Sequence, residues 1–412
     1  MQDAKVWLLS AALGFAGCGG QGVTDQSPRR SNTPTPKPTD EAPYNVIPPN
    51  ANAAGFGGQS GKGGASGGGA GLASGGGSAG AGGMGMNAGG VAGGSSGSSG
   101  AAGDGSVAPP DCPSLTRARL ANGQCVDRIS EFSVASDPTS IAMDSDKRIW
   151  FDDGTGNQIV QLDDQGRVLN RIAFDSDSDS ESRELVSGTA GMILWYSDHF
   201  AKTVTGLSRD LQRTVFPLKF SPSGLGLGEG GELWLTEADK AVHRFEPRDS
   251  SDKSWAARPV GGIVVGPDEN LWFAQGADIG RLTVAGVRQD FPITDGVADD
   301  VCAGPDGALW YTDGWLDQIG HMTVEGKLIR TWDLPKSSQP VRIIVGPDAA
   351  LWFTEQGTGK IGRITVEGVV THYPPPTSVS GPYGITVGPD HNIWFTERWS
   401  GKIGRLIPDL VE

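Results

Sequence analysis

The chain has 412 residues, with 33 lysines and arginines against 48 aspartates and glutamates, and a formal net charge of −15. So acidic a balance argues against nucleic acid as a partner and against a basic membrane-binding face. Its 64 glycines are too many for one packed domain of this length, and most of the excess lies between residues 55 and 105. The composition therefore describes one large folded domain behind a long segment with little to bury.

Residues 1–18, MQDAKVWLLSAALGFAGC, place Lys5 before an apolar run from Val6 to Ala16. That run is too short to span a bilayer and fits the core of an export signal. Its end, Phe15-Ala16-Gly17-Cys18, resembles the bacterial lipoprotein box. The resemblance implies lipidation of Cys18, anchoring in the cell envelope and, with no acidic residue directly after the cysteine, the outer membrane. An ordinary secretory signal is the alternative. Residues 19–111 read as a disordered tether, Pro-rich from Ser27 to Pro49 and Gly/Ser/Ala-repetitive from Ala51 to Gly105. As a coil it would reach roughly 50 Å from its anchor.

The folded domain is expected over residues 112–412. Cys112 and Cys125 are close enough in an exported chain to be read as a disulfide tying the tether to the domain. No histidine or second cysteine pair accompanies them, so a metal pair does not suit. Cys302 reads as a small buried residue, not a nucleophile. The run Asp175 to Glu181, DSDSDSE, invites calcium but lacks the spacing of a calcium hand, and reads as a solvated loop.

Tryptophans 150, 195, 234, 272, 310, 352 and 394 mark a repeat with a period near forty residues. Ile385 and Val387, with Ile263, Val265, Ile343 and Val345 before them, alternate with small or polar residues as a strand does. Gly-Pro-Asp follows at 266–268, 304–306, 346–348 and 388–390, and makes a turn into a second strand carrying the tryptophan. Lys402 to Arg405 begins a third strand; Val369 to Tyr373 and Leu328 to Trp332 show a fourth. Four short antiparallel strands per unit make a propeller blade, with the tryptophan packed between neighbouring sheets. A solenoid of the same units would leave exposed sheet edges, which radial closure removes. The last unit lacks a fourth strand, and Arg128 to Val134 is a spare strand that would complete it. The fold class expected is all-β: a seven-bladed propeller of four-stranded antiparallel blades.

One rim of the central channel collects two sets of residues. The first follows the inter-blade proline: Thr139, Val260, Val341 and Tyr383, with Ala298 where the proline is missing. The second lies three residues after each tryptophan: Asp153, Asp198, Glu237, Gln275, Asp313, Glu355 and Glu397. A ring of carboxylates would suit a divalent cation or acid/base work, with Glu355 and Glu397 as the metal candidates. A residue present in nearly every blade more simply serves the blade, for instance by pairing with Arg281, Arg363 or Arg405. Individual function is expected where the repeat breaks: Asp299-Asp300, Arg342, Tyr383, Trp315, Trp399 and His199. With Asp313, Glu355 and Glu397 these describe a polar, aromatic-edged mouth suited to a peptide-like or sugar-like ligand.

The units GPDAALWFTEQGTGKIGRITVEGVVTHYPPP and GPYGITVGPDHNIWFTERWSGKIGRL resemble those of the virginiamycin B (streptogramin) lyase family, across residues 258–410 in particular. The resemblance implies a seven-bladed propeller. It also implies elimination of the ester bond of a cyclic depsipeptide by a histidine base with Mg²⁺. In the family the essential histidines follow the inter-blade proline and a metal-binding glutamate precedes one of them. Here Tyr383 and Val341 stand in the histidine places and Gly381 in that glutamate's place, while Glu397 matches the repeated second-strand glutamate. None of His199, His243, His321, His372 and His391 falls in an equivalent slot. Tyr383 and Glu397 are left as the candidate catalytic groups. The expectation is an envelope-tethered, monomeric propeller that binds a small molecule, a peptide or an envelope protein. An active streptogramin B lyase is the alternative, and a lactonase-like hydrolase, with a metal held by Glu, Asn and Asp in the channel, is a third.

Overall fold

A computed structural model of the chain describes residues 115–120, 124–174, 184–189, 191–228 and 230–408. The export signal with Cys18, the tether at 19–111, Cys112 and the run at 175–181 lie outside the described residues.

Seven four-stranded antiparallel sheets succeed one another along the described chain. Blades 1 to 6 cover residues 138–173, 185–217, 224–256, 263–292, 300–333 and 340–373. In blade 6 the strands are Pro340–Val345, Leu351–Glu355, Lys360–Ile364 and Val370–Tyr373, in that order from the inside outward. The inner pair forms a hairpin around Gly-Pro-Asp, where Gly346 N donates to Ala350 O at 2.8 Å. Second strands are buried on both faces and show no polar alternation, whereas the outermost strands are half exposed.

Blade 7 is built from both ends of the chain. Pro382–Val387, Ile393–Glu397 and Lys402–Leu406 are completed by Ile129–Ser133, paired from Ile129 opposite Leu406 to Ser133 opposite Lys402. The spare strand expected at 128–134 therefore closes the ring, because an open edge at Lys402–Leu406 would leave its backbone groups unpaired. The buried Arg128 reinforces the seam: its guanidinium donates to Ile407 O at 3.0 Å and Arg117 O at 3.2 Å, and lies 5.4 Å from the Tyr373 ring centre. A short hairpin, Arg117–Arg119 with Cys125–Asp127, precedes it. Cys125 is disulfide-bonded, and so is Cys302. Cys302 is buried as expected, but as half of a disulfide.

Each tryptophan welds two blades. Trp352 of blade 6 packs with Ile385, Ile393 and Phe395 of blade 7, and Trp394 with Ile141, Ile149 and Phe151 of blade 1. Trp310 packs likewise with Ile343, Leu351 and Phe353. Six of the seven tryptophans are at most 1% exposed. Burying one indole stabilises by roughly 4–6 kcal/mol before entropy is counted.

At the Gly-Pro-Asp end the indole is also polar-anchored. The nitrogens of Trp272, Trp310, Trp352 and Trp394 donate to Asp268, Asp306, Asp348 and Asp390 at 2.8, 3.2, 2.8 and 3.0 Å. The same aspartates face Arg281, Arg363 and Arg405 at 3.5, 2.6 and 3.7 Å, with His321 taking the arginine's place 2.9 Å from Asp306. Glycine is required before the proline. A Cβ on Gly346 would sit 2.1 Å from the Trp352 ring, and Gly266, Gly304 and Gly388 meet their tryptophans as closely.

Candidate functional site

Inner-strand starts and second-strand ends do share one rim, since Pro138, Pro340 and Pro382 pair with Asp153, Glu355 and Glu397. The carboxylates there do not pair with Arg281, Arg363 or Arg405. Those arginines stand opposite Trp272, Trp352 and Trp394, three residues further along the ladder at about 3.4 Å each. The rim carboxylates instead cap the local turns. Asp313 accepts from the backbone N–H groups of Trp315, Leu316 and Val297 at 3.0, 2.9 and 3.1 Å. Asp198 accepts from Phe200 and Ala201, and Asp153 from Ser136 and Asp137. Glu355 accepts from Thr358 at 2.6 Å, Ser338 at 3.2 Å and the His372 ring at 2.5 Å.

Glu397 differs. Fully buried, it accepts from Ser400 at 2.9 Å, while its Oε1 has no partner among the described residues. Burial, with the neighbouring Glu131 carboxylate, pushes its pKa up to about 7. When protonated, Glu397 can donate to the Glu131 carboxylate beside it, so the two carboxyls share one proton. Glu131 itself is held by Lys402 at 2.6 Å and by Thr377.

The carboxylates are thus separately committed, and no group of three or more His, Cys, Asp or Glu able to hold a metal occurs among the described residues. The Mg²⁺ that the family resemblance implies does not fit this donor set. Gly381 has φ +62° and lies under the indole of Trp399, 2.4 Å from where a Cβ would be. No carboxylate can be placed at that position without evicting the ring. Glu397 alone remains, buried and with a raised pKa.

The breaks in the repeat do converge. Counting back three residues from the residue opposite each tryptophan gives Thr139, Ser223, Gly261, Asp299, Val341 and Tyr383 at one level. Val260 and Ala298, expected at this level, stand instead in the proline's own place, because blades 4 and 5 lack the spacing that the proline sets. One level deeper come Ser140, Glu184, Gly224, Gly262, Asp300, Arg342 and Gly384. All but Gly224 line a cavity of about 130 Å³ in the channel, together with Ile141, Leu185 and other aliphatic side chains.

At its centre Arg342 pairs through Nη2 with Glu184, whose other oxygen accepts from Ser140 at 3.3 Å. Asp300 accepts from Ile343 N at 3.1 Å and Val301 N at 3.0 Å. Burial outweighs Arg342 and the two N–H groups and pushes the Asp300 carboxyl up to about 6. Above them Tyr383 lies between two guanidiniums, with Arg342 at 5.6 Å and Arg398 at 5.9 Å from its ring centre. Asp299 is drawn into the frame by Gly314 N at 2.7 Å, and burial raises its pKa. His199 is tied to Pro222 O at 3.0 Å and edges against Phe200.

Trp315 and Trp399 are 77% and 54% exposed, and Phe200 58%. All three stand five residues after their blade's tryptophan, so they occupy one position of the rim in blades 5, 7 and 2. Phe200 and Glu184 were not legible as site residues. Blade 2 has neither the inter-blade proline nor Gly-Pro-Asp to set the register. The pairing of Val186 with Trp195 supplies it.

The virginiamycin B lyase family model matches residues 219–410. Among solved structures, one described as a streptogramin B lyase is 28% identical with a TM-score of 0.62, over 68% of this chain and 97% of that one. The virginiamycin B lyase from Staphylococcus aureus is 25% identical, also with a TM-score of 0.62, over 68% and 99%. A catalytically inactive histidine-to-alanine variant of that enzyme, solved with quinupristin, matches at 24% identity and the same TM-score, and shows the shared fold. No curated protein matches the chain.

Proposed function

We propose that this virginiamycin B lyase-like propeller is a binding module that takes a peptide-like ligand at the channel mouth and does not open depsipeptide rings. The observation that carries the reading is the pairing of Gly381 with Trp399. Where the family has a metal-binding carboxylate, this chain has a positive-φ glycine covered by an indole. Tyr383 and Val341 occupy the histidine places, and Tyr383 is flanked by guanidiniums that stay cationic at any working pH. The binding side of the reading rests on Trp315, Trp399 and Phe200, whose exposed rings offer contact area at low entropic cost. On this reading residues 1–18 export and lipid-anchor the protein in the cell envelope, and residues 19–111 set its reach.

Quinupristin is the first probe. Titration into the purified chain, followed by tryptophan fluorescence, is expected to give a saturable change that Trp315→Ala and Trp399→Ala each weaken. No saturable change, or one that both substitutions leave untouched, removes the mouth as a binding site for peptide-like ligands.

A further inference from the structure

Beneath the mouth, the seven residues of the deeper channel level are Ser140, Glu184, Asp300, Arg342 and three glycines. The glycines leave space that the charged side chains enter: the Asp300 carboxylate lies where a Cβ on Gly262 would be. The resulting cavity, at about 130 Å³, far exceeds the ~10–15 Å³ that one water needs.

Its charges do not balance. Two carboxylates face one guanidinium, and that guanidinium is committed to Glu184, which leaves Asp300 with backbone N–H donors and no cation of its own. A carboxylate has room for about four hydrogen bonds and Asp300 uses two, so acceptor capacity remains toward the cavity. Arg342 is under-used in the complementary sense. Nη2 meets Glu184, and no other acceptor for its guanidinium is found among the described residues. The site thus offers a surplus negative charge and free N–H donors side by side, in surroundings where unmatched charge is costly.

We infer that the cavity binds the free N-terminus of a peptide, with the α-ammonium on Asp300 and Glu184 and the first carbonyl oxygen accepting from Arg342. Such a ligand brings one positive charge to a centre with one negative charge in excess. It also places an acceptor within one residue of the ammonium, for the Arg342 donors that share the cavity with the two carboxylates. Isoleucine, leucine and valine side chains around the cavity favour a small or aliphatic first residue. The inference deepens the binding reading above and rests on it: the peptide enters past Trp399 and Tyr383, and its terminus is read below them.

The test is calorimetric titration of the whole chain with glycylglycinamide and with its N-acetylated form. One molecule of the free amine is expected to bind per chain, with the acetylated form at least about tenfold weaker, the loss of one charge-assisted hydrogen bond. Asp300→Asn, and separately Glu184→Gln, are expected to weaken the free amine by a similar factor. Should either variant not fold, the unmodified chain keeps the question open to measurement. Its affinity for the amine should fall as pH drops through about 6, where Asp300 takes up a proton while Glu184 and Arg342 still face it. Equal binding of the acetylated peptide overturns the inference, as does binding of methylammonium or K⁺ as tight as that of glycylglycinamide. A chain that answers quinupristin but not glycylglycinamide keeps the mouth and loses the terminus site; a chain that answers neither loses both.

Discussion

The two ends of each second strand behave differently. At the Gly-Pro-Asp end, blades 4 to 7 repeat one arrangement: indole on aspartate, arginine or histidine on the same aspartate, and a glycine that admits the ring. At the other end the seven residues three beyond the tryptophans are mostly acidic, yet each has its own partners. Asp313 holds backbone amides, Glu355 holds hydroxyls and an imidazole, and Glu397 holds a serine and stands beside another carboxyl. Chemical sameness at the first end marks a scaffold. Variety at the second marks where individual residues can acquire a task.

The largest expected effect lies at the uniform end. Trp352→Ala should cost about 3–5 kcal/mol, because the cavity falls between two blades; denaturant unfolding measures it. Asp348→Asn leaves the indole a partner but strips Arg363 of its counter-charge, and should cost about 1–3 kcal/mol by the same assay. If that substitution were neutral, the repeated triad would be decoration.

Gly381→Ala sharpens the contrast from the other side. A Cβ at positive φ and against an indole should cost about 1–3 kcal/mol and displace Trp399. Quinupristin binding should weaken beyond what the stability loss explains. Glu397→Gln should instead help at alkaline pH. Its folded pKa of about 7 lies above the unfolded value of 4.5, so the wild-type chain loses stability as pH rises from about 4.5 to about 7. The variant escapes that loss. Its melting temperature relative to wild type should therefore climb across this window and level off above it; a flat difference would contradict the raised pKa of Glu397. Trp315→Ala, at an exposed rim position, should leave stability within about 0.5 kcal/mol and change binding alone.

Much of this was written in the chain. The tryptophan period, the Gly-Pro-Asp turns and the unmatched strand before the first unit lead to seven blades and to closure by Ile129–Ser133. The pairing of rim carboxylates with Arg281, Arg363 and Arg405 was misread, since sequence spacing does not reveal which residues of the third strand face which of the second. The ladder sets Glu355 opposite Lys360 and sends Arg363 to the tryptophan. Glu184 was illegible for a related reason: nothing in blade 2 anchors the count. Arg342, Asp300 and Tyr383 were visible because each interrupts a pattern, but their meeting in the channel depends on closing the ring.

We propose that this propeller keeps the lyase architecture without the lyase chemistry. The most direct test is incubation of the purified chain with quinupristin and Mg²⁺, followed by chromatography, which separates the ring from a linear product of the same mass. The account predicts that the cyclic depsipeptide is recovered unchanged. Time-dependent appearance of the linear isomer, abolished by Glu397→Gln, would contradict it and return Tyr383 and Glu397 to a catalytic role.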